Sequence, residues 1–444
     1  MYNKTKMRWI AWWLPGVIFF IAVVAFCTTS GGGNTISRAS IKGLSCIVDI
    51  NDAKELGVNY CTENFSIGDL IDWSNPDPAV YVIVDGQKIG IKQQYVQSLD
   101  KRLKTLTDGG IKVMLVLLNQ LPAVADPNNP LVHPDTDIKN APYGLGAFNV
   151  KTAQGLACYR AAIEFLADRY GRPDKKFGCI AGMIIGNELQ VHWEYYNLGK
   201  ADMAKVIESY APAVRYAHAA ARKYSRDIHI YISLTNTWML NNDDPEMTFA
   251  GRPFVERFNE VIRAGGDFDW GVAFHPYPDR LSDPRFWLDK NAMMDFNSPK
   301  ITFKNIEILP AFLKQKPYLY NGKIRKLILS EQGFNTPNTP DGEKIQAAAY
   351  ACAYYKISRI PEISAFILHR HVDHPHELNL KLGVWTYDPN SAAPAETPLR
   401  KKYIWQVFKE ADGPNWRQAF EFALPIIGIK TWDEAMPAKC TKDN

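Results

Sequence analysis

The stretch Ile180–Glu188 reads Ile-Ala-Gly-Met-Ile-Ile-Gly-Asn-Glu, and the fold of the whole chain can be argued outward from it. The apolar run is too short for a helix and is broken by glycine, which predicts a buried strand of a parallel sheet. It ends in Asn187 and Glu188, where the strand leaves the core. Parallel α/β folds keep their chemistry at the C-terminal ends of strands, so Glu188 is a candidate catalytic carboxylate. A glutamate that only caps the next helix explains this stretch equally well.

A second stretch, Lys326–Gly333, repeats the pattern as Lys-Leu-Ile-Leu-Ser-Glu-Gln-Gly. Here Glu331 follows an apolar strand and precedes glycine. Two glutamates at two strand ends suit a barrel in which they face each other across the axis. Carboxyl groups about 5–5.5 Å apart are what a retaining glycosidase needs, one as acid/base and one as nucleophile.

Short apolar runs alternate with amphipathic segments through most of the chain, which predicts an α/β fold with a parallel sheet. Eight such units predict the closed (β/α)8 TIM barrel. A small hairpin is expected at 80–91, around Asp85 and Gly86. The predicted strands lie near 44–48, 58–63, 111–118, 180–186, 228–234, 270–274, 326–330 and 363–368, and the clearest helices at 92–107, 152–170, 202–224 and 343–358.

The composition is that of a globular protein with a large core. The 444 residues are 46% hydrophobic and 22% charged, with a formal net charge of +4. Three of the positive charges, Lys4, Lys6 and Arg8, lie in a leader without acidic residues, so the rest of the chain is close to neutral. A nearly neutral chain does not favour nucleic acid or an acidic membrane as a partner. The aromatic content of 12% suits either a bulky core or a sugar-binding cleft.

The N-terminus has the pattern of an export signal, because the three basic residues precede an apolar run over 9–26. That run is also long enough to span a bilayer. The segment Val24–Cys27 resembles a bacterial lipoprotein box, with Cys27 as the lipidated residue, although Phe26 stands where a small residue is expected. Lipoprotein, uncleaved anchor and cleaved signal all remain open. All three predict an exported protein, periplasmic or extracellular. The first two anchor it in the cell envelope, and it is expected to meet the membrane only through the leader or a lipid on Cys27.

The predicted organisation is a leader over 1–27, a glycine-containing flexible tether over 28–42, a catalytic barrel over 43–411 and a tail over 412–444 that packs on the barrel. We expect a monomer. The seven cysteines show no zinc or disulfide-framework spacing. Buried free thiols explain them, and a link between Cys46 and Cys61 is the alternative.

Asn187-Glu188, His275-Pro276-Tyr277 and Glu331, each at a strand end and in this order, resemble the signature of clan A glycoside hydrolases. These are (β/α)8 retaining enzymes that include the family 5 cellulases and mannanases. The resemblance implies that Glu188 is the acid/base and Glu331 the nucleophile. It also implies that Tyr277 hydrogen-bonds Glu331, that His275 borders the reacting sugar, and that Trp385 forms the floor of that subsite.

Asn64 and Asn119 end the second and third strands, where many clan members carry Arg and His. Their amides suit sugar hydroxyls, and capping of a loop is an equal alternative. The segment after strand eight carries four histidines, of which His371 is the candidate substrate contact. Alternating histidines also allow a His-ligated, metal-dependent barrel hydrolase.

The sequence therefore predicts a retaining β-glycosidase for an oligo- or polysaccharide, without metal or organic cofactor. A barrel that binds glycan without cleaving it is the alternative from another class of function.

Overall fold

The computed structural model describes residues 40–124, 126–240 and 244–436. Eight parallel strands close into a barrel in which neighbours in the chain are neighbours in space, and the last strand pairs with the first. The predicted (β/α)8 architecture is confirmed. The strands are β1 Lys42–Leu44, β2 Tyr60–Ser66, β3 Lys112–Leu118, β4 Ile180–Ile185, β5 His229–Thr235, β6 Trp270–His275, β7 Leu327–Gln332 and β8 Ile363–Leu368.

Helices surround the barrel, and the four predicted from sequence lie within one residue of their expected bounds. The main helices are α1 Ile50–Glu55, α2 Gln93–Asp108, α3 Ala153–Tyr170, α4 Met203–Tyr224, α5 Gly251–Ala264, α6 Ile308–Leu313, α7 Gly342–Ser358 and α8 Tyr403–Glu410. Single turns of α-helix lie at Ile67–Leu70, His192–Tyr195, Trp416–Ala419 and Leu424–Ile427.

The first strand was expected at 44–48 and is found earlier, at Lys42–Leu44. Pairing with β8 ends with the bond from the Ser45 N–H to the Leu368 carbonyl, and the chain then turns toward α1. Asp49 caps that helix by accepting from the N–H groups of Asn51 and Asp52. Ile47 lies outside the strand but is buried, with 3% of its surface exposed. The apolar sequence pattern therefore continues past the end of the strand.

The strands are apolar throughout because both of their faces are buried. Inside the barrel, Ile184 of β4 packs with Tyr231 of β5 and Met114 of β3, while Met183 and its alternating neighbours face the helices. Gly182 makes room for this packing, since a Cβ there would lie 2.8 Å from the Met114 sulfur and 2.9 Å from the Tyr231 ring. The glycine within the deciding stretch thus serves the interior of the barrel.

The predicted hairpin is confirmed as antiparallel strands Tyr81–Val84 and Gln87–Ile91, joined through Asp85 and Gly86 at positive φ. Ile71–Asp72 pairs with it as a third strand. A separate antiparallel ribbon joins Trp385–Tyr387 to Pro398–Lys401.

The segment after α8 lies against α7. The Trp432 ring stacks on the Tyr355 ring with centroids 4.9 Å apart, and the Trp416 ring meets the Tyr354 ring edge-on at 5.5 Å. These contacts continue the core of the barrel to Trp432, which is 9% exposed.

Residues 1–39, including Cys27, lie outside the described residues, so the leader and its lipid remain predictions. Within the described ranges, no helix is long and apolar enough to cross a membrane. The cysteines of those ranges, among them Cys46 and Cys61, are all free thiols.

Candidate active site

The C-terminal ends of the strands open into a cleft of about 590 Å³. Glu188, three residues beyond β4, and Glu331, near the end of β7, both line it. Asn187, Tyr277 and Asn64 line the same cleft. The barrel therefore brings together five of the nine predicted site residues.

Glu188 has an unusual backbone conformation. Its φ of 41° and ψ of 60° lie in the left-handed region, which costs a non-glycine residue roughly 1–2 kcal/mol. Two contacts hold it there. The Glu188 N–H donates to Ser233 Oγ at 2.9 Å, and its Oε1 lies 2.8 Å from His275 Nδ1. The side chain remains 13% exposed, so the carboxylate is fixed but reachable.

Glu331 is held ionised by its surroundings. The Tyr277 hydroxyl donates to Glu331 Oε1 at 2.9 Å. Burial alone would raise the pKa of Glu331, but the charges of His275 and His369 and the bond from Tyr277 together hold this pKa below its ordinary value. A carboxylate in this setting can act as a nucleophile near neutral pH.

His275 is 2% exposed and lies beneath the cleft, so it does not line the space for a substrate. Its Nδ1 meets Glu188, and its Nε2 lies 3.1 Å from Ser330 Oγ. Burial would lower the pKa of His275, but the bond to Glu188 and the charge of Glu331 raise it above its ordinary value. His275 and Tyr277 lie two residues apart at the end of β6. His275 thus holds Glu188, and Tyr277 holds Glu331.

A second histidine, His369, follows β8 directly and lines the cleft. His369 Nδ1 lies 3.0 Å from Ser45 Oγ, and its Nε2 lies 2.5 Å from Glu377 Oε1. Burial would lower the pKa of His369, but contacts with Cys46 and Glu377 and the charge of Glu331 raise it well above its ordinary value. The raised pKa favours the protonated form of His369 beside Glu331, a feature that the sequence analysis did not single out.

The two asparagines predicted at strand ends differ in their placement. Asn64 is exposed and lines the cleft. Asn119 is 4% exposed, and its amide donates to the carbonyls of Leu131 at 2.8 Å and Ala147 at 2.9 Å. Asn119 fixes the long loop after β3 and is not among the residues that line the cleft.

His371 and Trp385 are also placed away from the cleft, because both bind the carboxylate of Asp52. His371 is fully buried, with Nε2 2.9 Å from Asp52 Oδ2, and Trp385 donates to the same oxygen at 2.8 Å. Trp405 donates to both carboxylate oxygens at 3.1 Å. Asp52 therefore binds side chains from three segments that are distant in sequence. Trp385, expected at the floor of the reacting subsite, is not among the residues that line the cleft.

The histidines after β8 do not converge on a common point. His369 and His371 are bonded as described, and the His374 and His376 rings lie 6.0 Å apart, nearly edge to face. Within the described ranges, no group of three or more His, Cys, Asp or Glu side chains is arranged to hold a metal ion. The metal-dependent alternative therefore finds no ligand set in this part of the chain.

Two tyrosines form an aromatic wall of the cleft. Three aromatic residues follow β4, namely Trp193, Tyr195 and Tyr196; of these, only Tyr195 lines the cleft, and Tyr196 is 1% exposed in the core. Tyr143 stacks on Tyr195 with ring centroids 5.2 Å apart and an interplanar angle of 11°. Tyr143 lies alone in a loop rich in proline and asparagine, so no periodic pattern marked it.

The fold and these side chains define a (β/α)8 barrel with two carboxylates, each held by a partner from β6, in one cleft at the C-terminal strand ends. The chain belongs to a family described as "Family of unknown function (DUF5722)", whose model matches residues 34–435. No curated protein matches the chain.

Several solved structures of glycoside hydrolases are similar to this one. A family 39 glycoside hydrolase from the gut symbiont Bacteroides cellulosilyticus WH2 shares 16% identity over 85% of this chain, with a TM-score of 0.53. This chain spans 64% of the length of that protein. Fpglu1 from Fervidobacterium pennivoraus shares 14% identity, covering 83% of this chain and 82% of its own, with a TM-score of 0.54.

A third similar structure is the β-glycosidase from the hyperthermophile Thermosphaera aggregans. It shares 12% identity, covering 84% of this chain and 86% of its own, with a TM-score of 0.50. At such identities these likenesses establish the barrel fold, which is the fold that the resemblance to clan A implied.

Proposed function

We propose that this protein is a retaining β-glycoside hydrolase that acts on an oligo- or polysaccharide, with Glu188 as acid/base and Glu331 as nucleophile. The observation that carries the proposal is the pairing of each glutamate with its own partner from β6 in one cleft, Glu188 with His275 and Glu331 with Tyr277. The glycosidases that share the barrel fold support the same class of reaction.

In the first step, Glu331 attacks the anomeric carbon while the bond from that carbon to the glycosidic oxygen breaks. Glu188 gives its proton to the departing oxygen, and a glycosyl ester forms on Glu331. The low pKa of Glu331 keeps it ionised for the attack, and the bond from Tyr277 fixes the direction of its carboxylate.

In the second step, water attacks the same carbon from the side that the leaving group vacated. Glu188, now a carboxylate, takes a proton from that water, and Glu331 is released. Two displacements at one carbon retain the anomeric configuration. The contact of His275 with Glu188 Oε1 leaves the other carboxyl oxygen to carry the transferred proton.

A panel of 4-nitrophenyl β-D-glycosides, followed by NMR of the first-formed sugar, tests the proposal. We expect cleavage of at least one member and a product that first appears as the β-anomer. A 2-fluoro glycoside of the same sugar should label Glu331, as identified by peptide mass mapping. Protein that retains glycans on an affinity gel but cleaves no member of the panel would instead be a glycan-binding barrel, and the proposal would be wrong.

A further inference from the structure

The stacked rings of Tyr143 and Tyr195 form a wall of the cleft that the proposed chemistry does not use. Both residues line the cleft, and Tyr143 is 49% exposed. An exposed ring in the cleft that holds both carboxylates presents a flat apolar surface to a ligand in that cleft. The C–H face of a pyranose ring matches such a surface.

The wall is built from the segment that follows Glu188 and from the loop after β3. Tyr195 follows Glu188 by seven residues and ends the short helix His192–Tyr195. Burial and, after it, the charge of Glu188 raise the pKa of the Tyr195 phenol, and the charge of Glu331 contributes less. Because the acid/base must stand beside the departing oxygen, a surface on its side meets the leaving group.

The wall is formed before any ligand arrives, because Asn197 joins the two loops that carry it. Asn197 is fully buried, and its N–H donates to the Leu145 carbonyl at 3.0 Å. Its own carbonyl accepts from the Ala147 N–H at 2.9 Å, and its side-chain oxygen accepts from the Asp137 N–H at 2.9 Å. A preorganised surface loses less entropy on binding than a mobile one.

We propose that Tyr143 and Tyr195 form the subsite for the leaving-group sugar and take a β-linked pyranose that stacks by its C–H face. The inference rests on the proposed glycosidase function and adds the chemistry of the second sugar. It also makes this wall the place where an acceptor sugar sits when it intercepts the glycosyl ester on Glu331 in place of water.

Two substrates that share the same glycone sugar distinguish binding of the leaving-group sugar from other roles of the two tyrosines. A β-glycosyl fluoride has no ring in its leaving group, whereas a β-linked disaccharide does. In Tyr143→Ala and Tyr195→Ala, we expect kcat/KM for the disaccharide to fall about 3- to 10-fold, the scale of one lost ring contact. We expect kcat/KM for the fluoride to stay at the wild-type value, and Tyr143→Phe to behave like wild type on both substrates.

Tyr81→Ala is the matched control, because Tyr81 is 48% exposed on the hairpin outside the cleft. A second readout does not depend on the folded fraction. With the fluoride as donor and a free monosaccharide as acceptor, Tyr143→Ala should lower the ratio of transfer product to hydrolysis product.

Equal losses on both substrates, or a loss on neither, would overturn the inference while the glycosidase function stands, and so would an unchanged transfer ratio. Wild-type protein that cleaves neither the fluoride nor any glycoside would overturn the proposed function, and the inference with it.

Discussion

Replacing Tyr277 by phenylalanine removes one hydroxyl from the cleft and keeps the ring. In the wild-type protein that hydroxyl donates to Glu331 Oε1 at 2.9 Å and helps to lower the pKa of Glu331. Without the bond, the pKa of Glu331 rises. Because the proposed reaction needs ionised Glu331, the acid limb of the kcat/KM profile should move to higher pH.

The size of the effect follows from the bond itself. A hydrogen bond to a charged group contributes about 1.5–3 kcal/mol, and each 1.4 kcal/mol corresponds to about a factor of ten. On the acid limb, where kcat/KM follows the ionised fraction of Glu331, Tyr277→Phe should therefore lower kcat/KM by about 10- to 150-fold. Well above the pKa the carboxylate is ionised in both proteins, so the loss from this cause disappears.

The assay is kcat/KM for the best aryl glycoside as a function of pH, which reports the essential groups of the free enzyme. Tyr350→Phe is the control, since the Tyr350 hydroxyl on α7 is buried and meets no hydrogen-bond partner among the described residues. An acid limb of Tyr277→Phe that coincides with the wild-type limb would refute the argument that Tyr277 stabilises an ionised Glu331.

Three further outcomes are expected. In Glu188→Ala, kcat/KM for a disaccharide should fall about 10²–10⁴-fold, and added azide should restore turnover of an aryl glycoside with a β-glycosyl azide as the product. Glu331→Ala should give no β-glycosyl azide. Identical behaviour of the two variants would remove the assignment of roles. His369→Gln removes a positive charge that lowers the pKa of Glu331, so the acid limb should again move to higher pH, and an unmoved limb would contradict this electrostatic role. Gly182→Ala should lower stability by about 1–3 kcal/mol, measured by urea unfolding, because its Cβ would meet the Tyr231 ring at 2.9 Å; wild-type stability would show that the barrel interior adapts.

The barrel could be predicted because its strands are buried on both faces and therefore read as short apolar runs. The same logic located Glu188 and Glu331, since a polar residue directly after such a run marks the strand end. The first strand was misplaced because Ile47 is buried in a loop, and burial without pairing produces the same sequence pattern.

Placement beyond a strand end was harder to predict. His369 and His371 both follow β8, but one lines the cleft and the other is buried against Asp52. Trp385 was assigned to the cleft from the resemblance, yet its indole binds the same carboxylate. A side chain beyond the end of its barrel strand is directed by tertiary partners that are distant in sequence, so the periodicity of the barrel strands carries no information about it.

The role of Asp52 has a consequence for how the protein is made. This carboxylate, close to the start of the barrel, is bonded by His371, Trp385 and Trp405, which are synthesised more than three hundred residues later. The contact between β1 and β8 closes over the same sequence separation. Contacts between residues so far apart in sequence form slowly, because a long loop must be closed before they become favourable. The ring therefore stays open during translation at least until β8 has been synthesised, and until then β1 exposes an unpaired edge that a chaperone or a neighbouring nascent chain can bind.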